Sequence, residues 1–134
     1  MTTEERLAKV ERELAEMKAG RTVADEVRVR RLVLVDDEGR ERAALVMREG
    51  GPRLDLFDEN GTLRAGLAVD KDGAGLGLLD ENGKPRAGLS VDKNGPRLHL
   101  LDKNGKVRAG LGVDVDGAGL SLFDAAGKAI WIAP

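Results

Sequence analysis

The sequence predicts a mainly β protein in which a short N-terminal coiled-coil helix precedes a repetitive antiparallel β-meander. A 22-residue motif recurs five times, and within each copy apolar and polar residues alternate with the period of a strand. The first 20 residues lack this alternation and carry apolar residues at heptad spacing instead. We therefore divide the chain into a helix at 1–20, a linker and first-strand lead-in at 21–31, and five hairpin repeats with a C-terminal cap at 32–134.

Each copy of the repeat predicts two strands and two turns. In the second copy, Leu54 and Leu56 precede Asp58, which begins a turn that ends at Gly61. A second run of alternating residues follows and ends in a similar turn at Gly73. Both turns suit a type I turn with a G1 bulge, because glycine takes the left-handed position. Two tight turns per copy make all neighbouring strands antiparallel.

The alternating apolar residues of the repeats are predicted to form one buried face. The core and cap positions are Leu54, Leu56, Leu67, Val69, Leu76, Leu78, Leu89, Val91, Leu98, Leu100, Leu111, Val113 and Trp131. In the fifth copy Trp131 replaces the small Ala109 of the fourth. A bulky side chain at the end of the repeat array indicates a cap over an apolar core.

A single meander with one apolar face must bury that face against another layer. Three arrangements satisfy this requirement: a closed barrel, a β-hairpin solenoid, or a homotrimer in which three sheets form a triangular β-prism. We favour the trimeric prism, because it gives the N-terminal helix a role and places three copies of Trp131 near one axis.

The N-terminal helix carries a narrow apolar seam. Its members, spaced three, four and three residues apart, are Leu7, Val10, Leu14 and Met17. About 16 residues are marginal for an isolated helix, and a strict heptad stripe is typical of a coiled coil. We interpret the seam as an oligomerisation surface, so the expected partner is a further copy of the chain.

Composition excludes several classes of function. The net charge of −2 gives no electrostatic case for binding nucleic acid, and no apolar run is long enough for membrane insertion. The aromatic residues are Phe57, Phe123 and Trp131, too few for a conventional sugar-binding or base-stacking site. Without a recognisable signal peptide, a cytoplasmic or phage-particle location is the default expectation, and surface display stays open.

The run from Leu56 to Gly66 resembles the hairpin repeats of choline-binding modules and of clostridial toxin cell-wall-type repeats, and the resemblance covers residues 32–128. Those families bind ligands through Trp and Tyr boxes, whereas Leu and Val stand at those places here. The resemblance therefore implies hairpin repeats but no choline or glycan ligand. The whole layout is similar to uncharacterised bacterial tandem β-hairpin repeat proteins with an N-terminal coiled coil, a likeness that implies no activity.

Acidic turns raise a calcium hypothesis. Its candidate ligands are Asp70, Asp72, Asp114 and Asp116. A calcium loop needs six or more oxygen ligands, and no Glu stands twelve residues from the loop start. Aspartate is also common in turns for its hydrogen bonds to the backbone, so we favour turn chemistry and expect no metal or other cofactor.

Two cationic features invite a functional hypothesis. An arginine recurs in four copies, as Arg42, Arg64, Arg86 and Arg108. This ladder suits either an anion-binding stripe or, as we favour, pairing with Asp55 or with turn carboxylates. His99 is the one histidine and has no second His or Cys to join in catalysis or metal binding. We expect no enzyme activity.

The leading functional hypothesis is a non-catalytic structural or oligomerisation module, such as a trimeric spacer, stalk tip or scaffold. The alternative is a binding or adhesion module, such as a phage-fibre or cell-surface tip with a protein or glycan partner. Regular turns, the lack of cysteine and abundant Arg and Glu also favour a thermophilic source.

Overall fold

The computed structural model describes residues 1–20 and 26–134. One helix is followed by ten strands: α1 (Thr3–Lys18), β1 (Arg31–Val35), β2 (Glu41–Arg48), β3 (Gly51–Phe57), β4 (Leu63–Asp70), β5 (Gly73–Leu79), β6 (Pro85–Asp92), β7 (Gly95–Leu101), β8 (Val107–Asp114), β9 (Gly117–Phe123) and β10 (Ala129–Ala133). The mainly β class and the hairpin repeat predicted from the sequence are confirmed. Residues 21–25 of the predicted linker lie outside the described residues.

A capping box starts helix α1. Thr2 is the N-cap: its hydroxyl accepts a hydrogen bond from the N–H of Glu5, and the Glu5 carboxylate accepts one from the N–H of Thr2. The acidic Glu4 and Glu5 in the first turn and Lys18 in the last turn also complement the helix dipole. Within the described residues α1 contacts none of the strands. Among the described residues, no strand therefore contributes packing to this helix.

All ten strands form one antiparallel sheet in sequence order, from β1 to β10. In the described part of the chain β1 and β10 are the two edges and do not pair with each other. The closed barrel that the sequence left open is therefore excluded for the chain by itself. Each hairpin is a local structure, because every strand pairs only with its neighbours in the sequence.

The turn that follows each odd-numbered strand has the predicted geometry. At Asp58 the carbonyl accepts from the N–H of Gly61, the N–H donates to the carbonyl of Thr62, and Gly61 has a φ of 79°. The Asp58 carboxylate accepts hydrogen bonds from the N–H groups of Asn60 and Thr62, both at 3.0 Å. This is a three-residue loop with a glycine in the left-handed position, as a type I turn with a G1 bulge requires.

The turn that follows each even-numbered strand from β2 to β8 differs from the prediction. Asp70 pairs directly with Gly73, so the loop has two residues, Lys71 and Asp72, rather than three. Neither loop residue has a positive φ, whereas Gly73 opens β5 at a φ of 153°. A Cβ at Gly73 would lie 2.0 Å from the carbonyl oxygen of Val91 on the next strand. Glycine is required here by this close approach and by the backbone angle, not by a G1 bulge.

One side of the sheet, here called the Leu face, carries three apolar columns that run across the strands. The central column is Leu32, Leu45, Leu54, Leu67, Leu76, Leu89, Leu98, Leu111, Leu120 and Ala133. The Leu–Ala column is Leu34, Ala43, Leu56, Ala65, Leu78, Ala87, Leu100, Ala109, Leu122 and Trp131. The Val–Pro column is Met47, Pro52, Val69, Ala74, Val91, Pro96, Val113 and Ala118. The predicted core residues all lie on this face.

No second layer covers either side of the sheet among the described residues. Only Ala44 and Asp55 are buried there, each 4 % exposed, and both lie on the side opposite the Leu face. The predicted core is therefore uncovered in the single chain. Neighbouring strands protect its backbone, but its side chains face outward from the sheet.

Candidate interaction surface

The Leu face is the largest candidate surface on this chain. Eight of its nine central leucines are substantially exposed, from 37 % at Leu54 and Leu98 to 57 % at Leu32, and Leu120 is partly buried. A protein core shields such side chains almost completely, and full burial of each contributes about 1.5–3 kcal/mol. Exposure along eight consecutive strands, from β1 to β8, makes this face one continuous apolar patch, far beyond what a monomer usually presents.

The total surface of the chain supports the same conclusion. A compact protein of 14.3 kDa exposes about 6,800 Å² by the usual scaling with mass. This chain exposes 10753 Å². The isolated helix accounts for part of the excess, and the single-layer sheet accounts for the rest. An excess of this order matches the area that obligate assemblies bury.

Trp131 lies at one end of the Leu face. It pairs with Leu122 on β9 and is 48 % exposed. The structure thus places the predicted cap on the last strand in the outer Leu–Ala column. The expectation that Trp131 lies near the axis of a prism is wrong for this arrangement, because Ala133 and not Trp131 ends the central column. Its neighbours Ile130 and Ile132 are also exposed, at 65 % each.

The predicted seam of α1 is also uncovered. Leu7 and Val10 are each 58 % exposed, Leu14 47 % and Met17 72 %. No residue of the helix is buried. The chain therefore carries two separate apolar surfaces, one on α1 and one on the sheet, and neither covers the other in the described residues.

The opposite side of the sheet, here called the Arg face, varies with a second period of 44 residues. Arg53 and Asp55 on β3, and Arg97 and His99 on β7, stand where β5 and β9 carry glycine or serine. These larger side chains lie over the small residues of the next strand: the ring of His99 is 3.5 Å from where a Cβ would stand on Gly110. The large side chains of β3 and β7 therefore pack on the small residues of β4 and β8.

Asp55 is the one buried charged residue among the described residues. Its carboxylate accepts a hydrogen bond of 2.5 Å from Nε of Arg53, and the guanidinium of Arg48 is 3.9 Å away. Gly66 pairs with Asp55 across the strands and leaves room for this ion pair. Arg53, and not the arginine ladder, is therefore the partner of Asp55.

The arginine ladder pairs with turn carboxylates, as the favoured interpretation predicts. Arg64 lies 3.3 Å from the Asp58 carboxylate, and its Nε donates a 3.1 Å hydrogen bond to the carbonyl of Leu79 on the following odd-numbered strand. Arg108 repeats the arrangement with Asp102 and Phe123. Arg42, Arg64 and Arg108 thus each tie a turn to the next hairpin, which leaves less of the guanidinium for an external anion. Arg86 lies 3.8 Å from the Asp80 carboxylate.

The hydrogen bonds of these turns shift the pKa of their aspartates. The N–H of Thr62 is the main cause that lowers the pKa of Asp58 below its ordinary value of 3.8, against an opposing effect of burial. Asp80 and Asp102 have the same arrangement and the same direction of pKa shift. At Asp36, burial is the largest effect and raises the pKa, but hydrogen bonds from Arg40 and Glu38 outweigh it and lower the pKa overall.

The calcium candidates have turn roles. The Asp70 carboxylate accepts from the N–H groups of Asp72 and Gly73, and the Asp114 carboxylate accepts from that of Asp116. Across residues 1–20 and 26–134, no group of three or more His, Cys, Asp or Glu side chains is placed to hold a metal ion. The structure thus gives the calcium hypothesis no site.

An open cleft of about 610 Å³ lies over β7, β8 and β9. Arg97 and His99 line one side of it, Gly112 and Ser121 form its floor, and Phe123 lies at one apolar end. Arg97 also lies 3.6 Å from the Asp92 carboxylate. The alternation of Leu98, His99 and Leu100 predicts that His99 lies opposite the Leu face. It does not predict this cleft, which depends on which glycines lie beside Arg97 across the strands.

Comparisons with known proteins add little to this picture. No protein-family model and no curated protein matches the sequence. One similar solved structure is the S. aureus TarM G117R mutant in complex with fondaparinux, alpha-GlcNAc-glycerol and UDP. It covers 88 % of this chain at 14 % identity with a TM-score of 0.43, and this chain spans 21 % of its length. At that score the likeness carries no argument about fold or function. No helix among the described residues is long and apolar enough to cross a membrane.

Proposed function

We propose that this chain is a non-catalytic oligomerisation module that assembles as a homotrimer and serves as a spacer, stalk tip or scaffold. The observation that carries the proposal is the uncovered Leu face. A sheet with one apolar side needs a second layer, and the chain supplies none in its described residues. Three copies of the same face, arranged around one axis, would cover each other and form a triangular β-prism.

The seam of α1 supports three chains over two. Leu7 and Leu14 take the a positions of the heptad, and the d positions are taken by Val10, which is β-branched, and by Met17, which is not. Leucine at a with a β-branched residue at d disfavours parallel dimers and favours higher assemblies. The exposed helix seam and the exposed Leu face then have one common explanation, since three parallel helices and three sheets share a single rotation axis.

A charge on the central column tests the proposal. Leu89→Asp would place three carboxylates near the axis of the prism, where desolvation costs several kcal/mol per charge. We expect the dissociation constant of the assembly to rise by roughly a hundredfold or more, which light scattering coupled to size-exclusion chromatography would measure.

The matched control is Ser90→Asp, one residue further along β6. Ser90 lies on the Arg face and pairs with Arg97 on β7, so a carboxylate there stays in solvent beside a cation. We expect this variant to keep the oligomeric state of the parent protein. Equal masses for the Leu89→Asp variant and the parent would argue against assembly through the Leu face.

The cleft over β7–β9 favours a second candidate function, that of a binding or adhesion module such as a phage-fibre or cell-surface tip. Arg97 and His99 would contact an anionic group of a glycan or protein, and Phe123 would contact its apolar part. A glycan array probed with the parent protein and with Arg97→Ala tests this candidate. Binding that the substitution removes supports it, and an array without signal counts against it.

A further inference from the structure

The two outer columns of the Leu face carry opposite side-chain sizes in every strand from β2 to β9. On β5, Leu78 in the Leu–Ala column accompanies the small Ala74 in the Val–Pro column. On β6 the order reverses, with Ala87 and the larger Val91. Where the repeat varies, a proline of intermediate size takes the place of Ala74, as Pro52 on β3 and Pro96 on β7, and it is still smaller than the leucine in the other outer column of the same strand.

This opposition has no use within a single strand. Ala74 and Leu78 are four residues apart on β5, a separation of about 13 Å, so their side chains do not meet. Within the chain, the neighbours of Leu78 along its own column are Ala65 and Ala87. Contacts inside the sheet therefore do not require the two outer columns to be matched in size to each other.

We propose that neighbouring copies of this chain meet at the same level, with the Leu–Ala column of one copy packed along the Val–Pro column of the next. The inference rests on the proposed threefold assembly. In a triangular prism the central column faces the axis, and the outer columns of adjacent copies meet at the corners. At equal level every corner contact joins the larger outer side chain of a strand to the smaller one: Leu78 meets Ala74 of the next copy, and Val91 meets Ala87.

A displacement of one strand between copies destroys this fit. Leu78 would then face Val91 or Val69, which are too large for the space, and Ala65 would face Ala74, which leaves a void. Each missing methyl group costs about 1 kcal/mol, and overpacking costs about 1–3 kcal/mol, so the mismatch accumulates over eight strands. The size pattern therefore selects the register between the copies.

Helix α1 also favours contact between copies at the same level. Parallel coiled-coil helices align their heptads, and α1 precedes β1 in each copy, so the helices start all three sheets together. A displacement of two strands would restore the size match but would leave uncovered strands at the ends and break the helix alignment. Since all three sheets twist with the same hand, contact at equal level persists along the axis.

Cysteine cross-linking tests this register, because the chain contains no cysteine. We substitute both Ala74→Cys and Leu78→Cys in the full chain. Within one copy the two thiols lie about 13 Å apart on one strand, beyond the Cα separation of about 7 Å that a disulfide tolerates. Between copies at equal level they meet at each corner. Mild oxidation is then expected to yield a covalent trimer on a non-reducing gel.

The matched control joins Ala74→Cys to Leu100→Cys, which lies in the same column as Leu78 but two strands further along. At equal level these thiols are separated by about 10 Å along the axis and do not bond. We expect neither this pair nor the single variants to form the covalent trimer.

The outcomes separate the register from the assembly. A trimer in solution that stays unlinked when it carries both Ala74→Cys and Leu78→Cys overturns the register and leaves the proposed function standing. A monomer in solution overturns the proposed function itself, and a covalent dimer as the final product overturns the threefold ring. As a second readout, Leu78→Ala and Ala74→Leu should each lower the melting temperature, and the double variant should regain part of that loss. Simple additivity of the two losses would contradict corner contact.

Discussion

At the residue scale, the glycines are of two kinds. Some are required by the backbone conformation or by a close contact, and others only keep side chains from protruding on the Arg face. Gly73 belongs to the first kind, since its φ of 153° and the 2.0 Å approach of the Val91 carbonyl leave no room for a side chain. Gly77 belongs to the second kind, because a Cβ there would have no atom within 4 Å. Both stand on β5, which allows a direct comparison.

We predict opposite effects for alanine at these two positions. Gly73→Ala should lower the free energy of unfolding by about 2 kcal/mol or more, because the backbone of β5 or β6 must move away. Gly77→Ala should leave that free energy unchanged or raise it by about 0.5 kcal/mol, because alanine restricts the unfolded chain without a clash. Thermal unfolding followed by circular dichroism compares the two. Equal losses would show that the close approach at Gly73 is not the cause.

At the scale of single elements, the repeated Asp turn should make stability depend on pH. The lowered pKa values of Asp58, Asp80 and Asp102 mean that the folded state holds these groups ionised more strongly than the unfolded chain does. This contribution to stability is complete above the unfolded pKa, near 4, and is lost as the pH falls through the lower folded values.

We therefore predict that the melting temperature is steady from neutral pH down to about 5 and falls below about pH 4. Asp80→Asn keeps an oxygen that accepts from the backbone but removes the charge. The Asp80→Asn variant should show a weaker dependence of the melting temperature on pH. Glu81→Gln changes an exposed side chain in the same turn and should leave that dependence as it is in the parent protein. A melting temperature that does not change between pH 2 and 5 would show that the turns contribute no such linkage.

Most elements of the fold could be predicted from the sequence, because local rules determine them. Alternation of residues such as Leu54 and Asp55 sets the strands and their faces, and Thr2 with Glu5 sets the start of α1. The predicted type of the turn at Gly73 was wrong, since a glycine at the end of a loop and one at the start of a strand look alike in the sequence. Only the strand pairing, Asp70 with Gly73, distinguishes the two.

The surface features were less accessible to sequence reasoning. The pairing of Asp55 with Arg53 rather than with the arginine ladder depends on Arg53 bending along the same strand. The bond from Arg64 to the carbonyl of Leu79 spans two hairpins and has no sequence signal. Such contacts depend on the distances between strands, and the pattern of residues in the sequence does not specify those distances.

At the scale of the whole molecule, the chain has the regular hydrogen bonding of a stable sheet without a second layer. Apolar side chains form one seam on α1 and three columns on the Leu face, and both surfaces are exposed in the described residues. Burial of apolar area is the main force that stabilises a folded protein, so a chain with this exposure should depend on its partners for stability. The trimeric prism stays a prediction that explains both surfaces together.

The most direct test of this account is the mass of the full chain in solution, measured by sedimentation equilibrium at micromolar concentration. We predict a single species of about 43 kDa, three times the 14.3 kDa of one chain. A stable, monodisperse monomer of 14.3 kDa would show that the exposed Leu face does not require covering, and it would contradict the account.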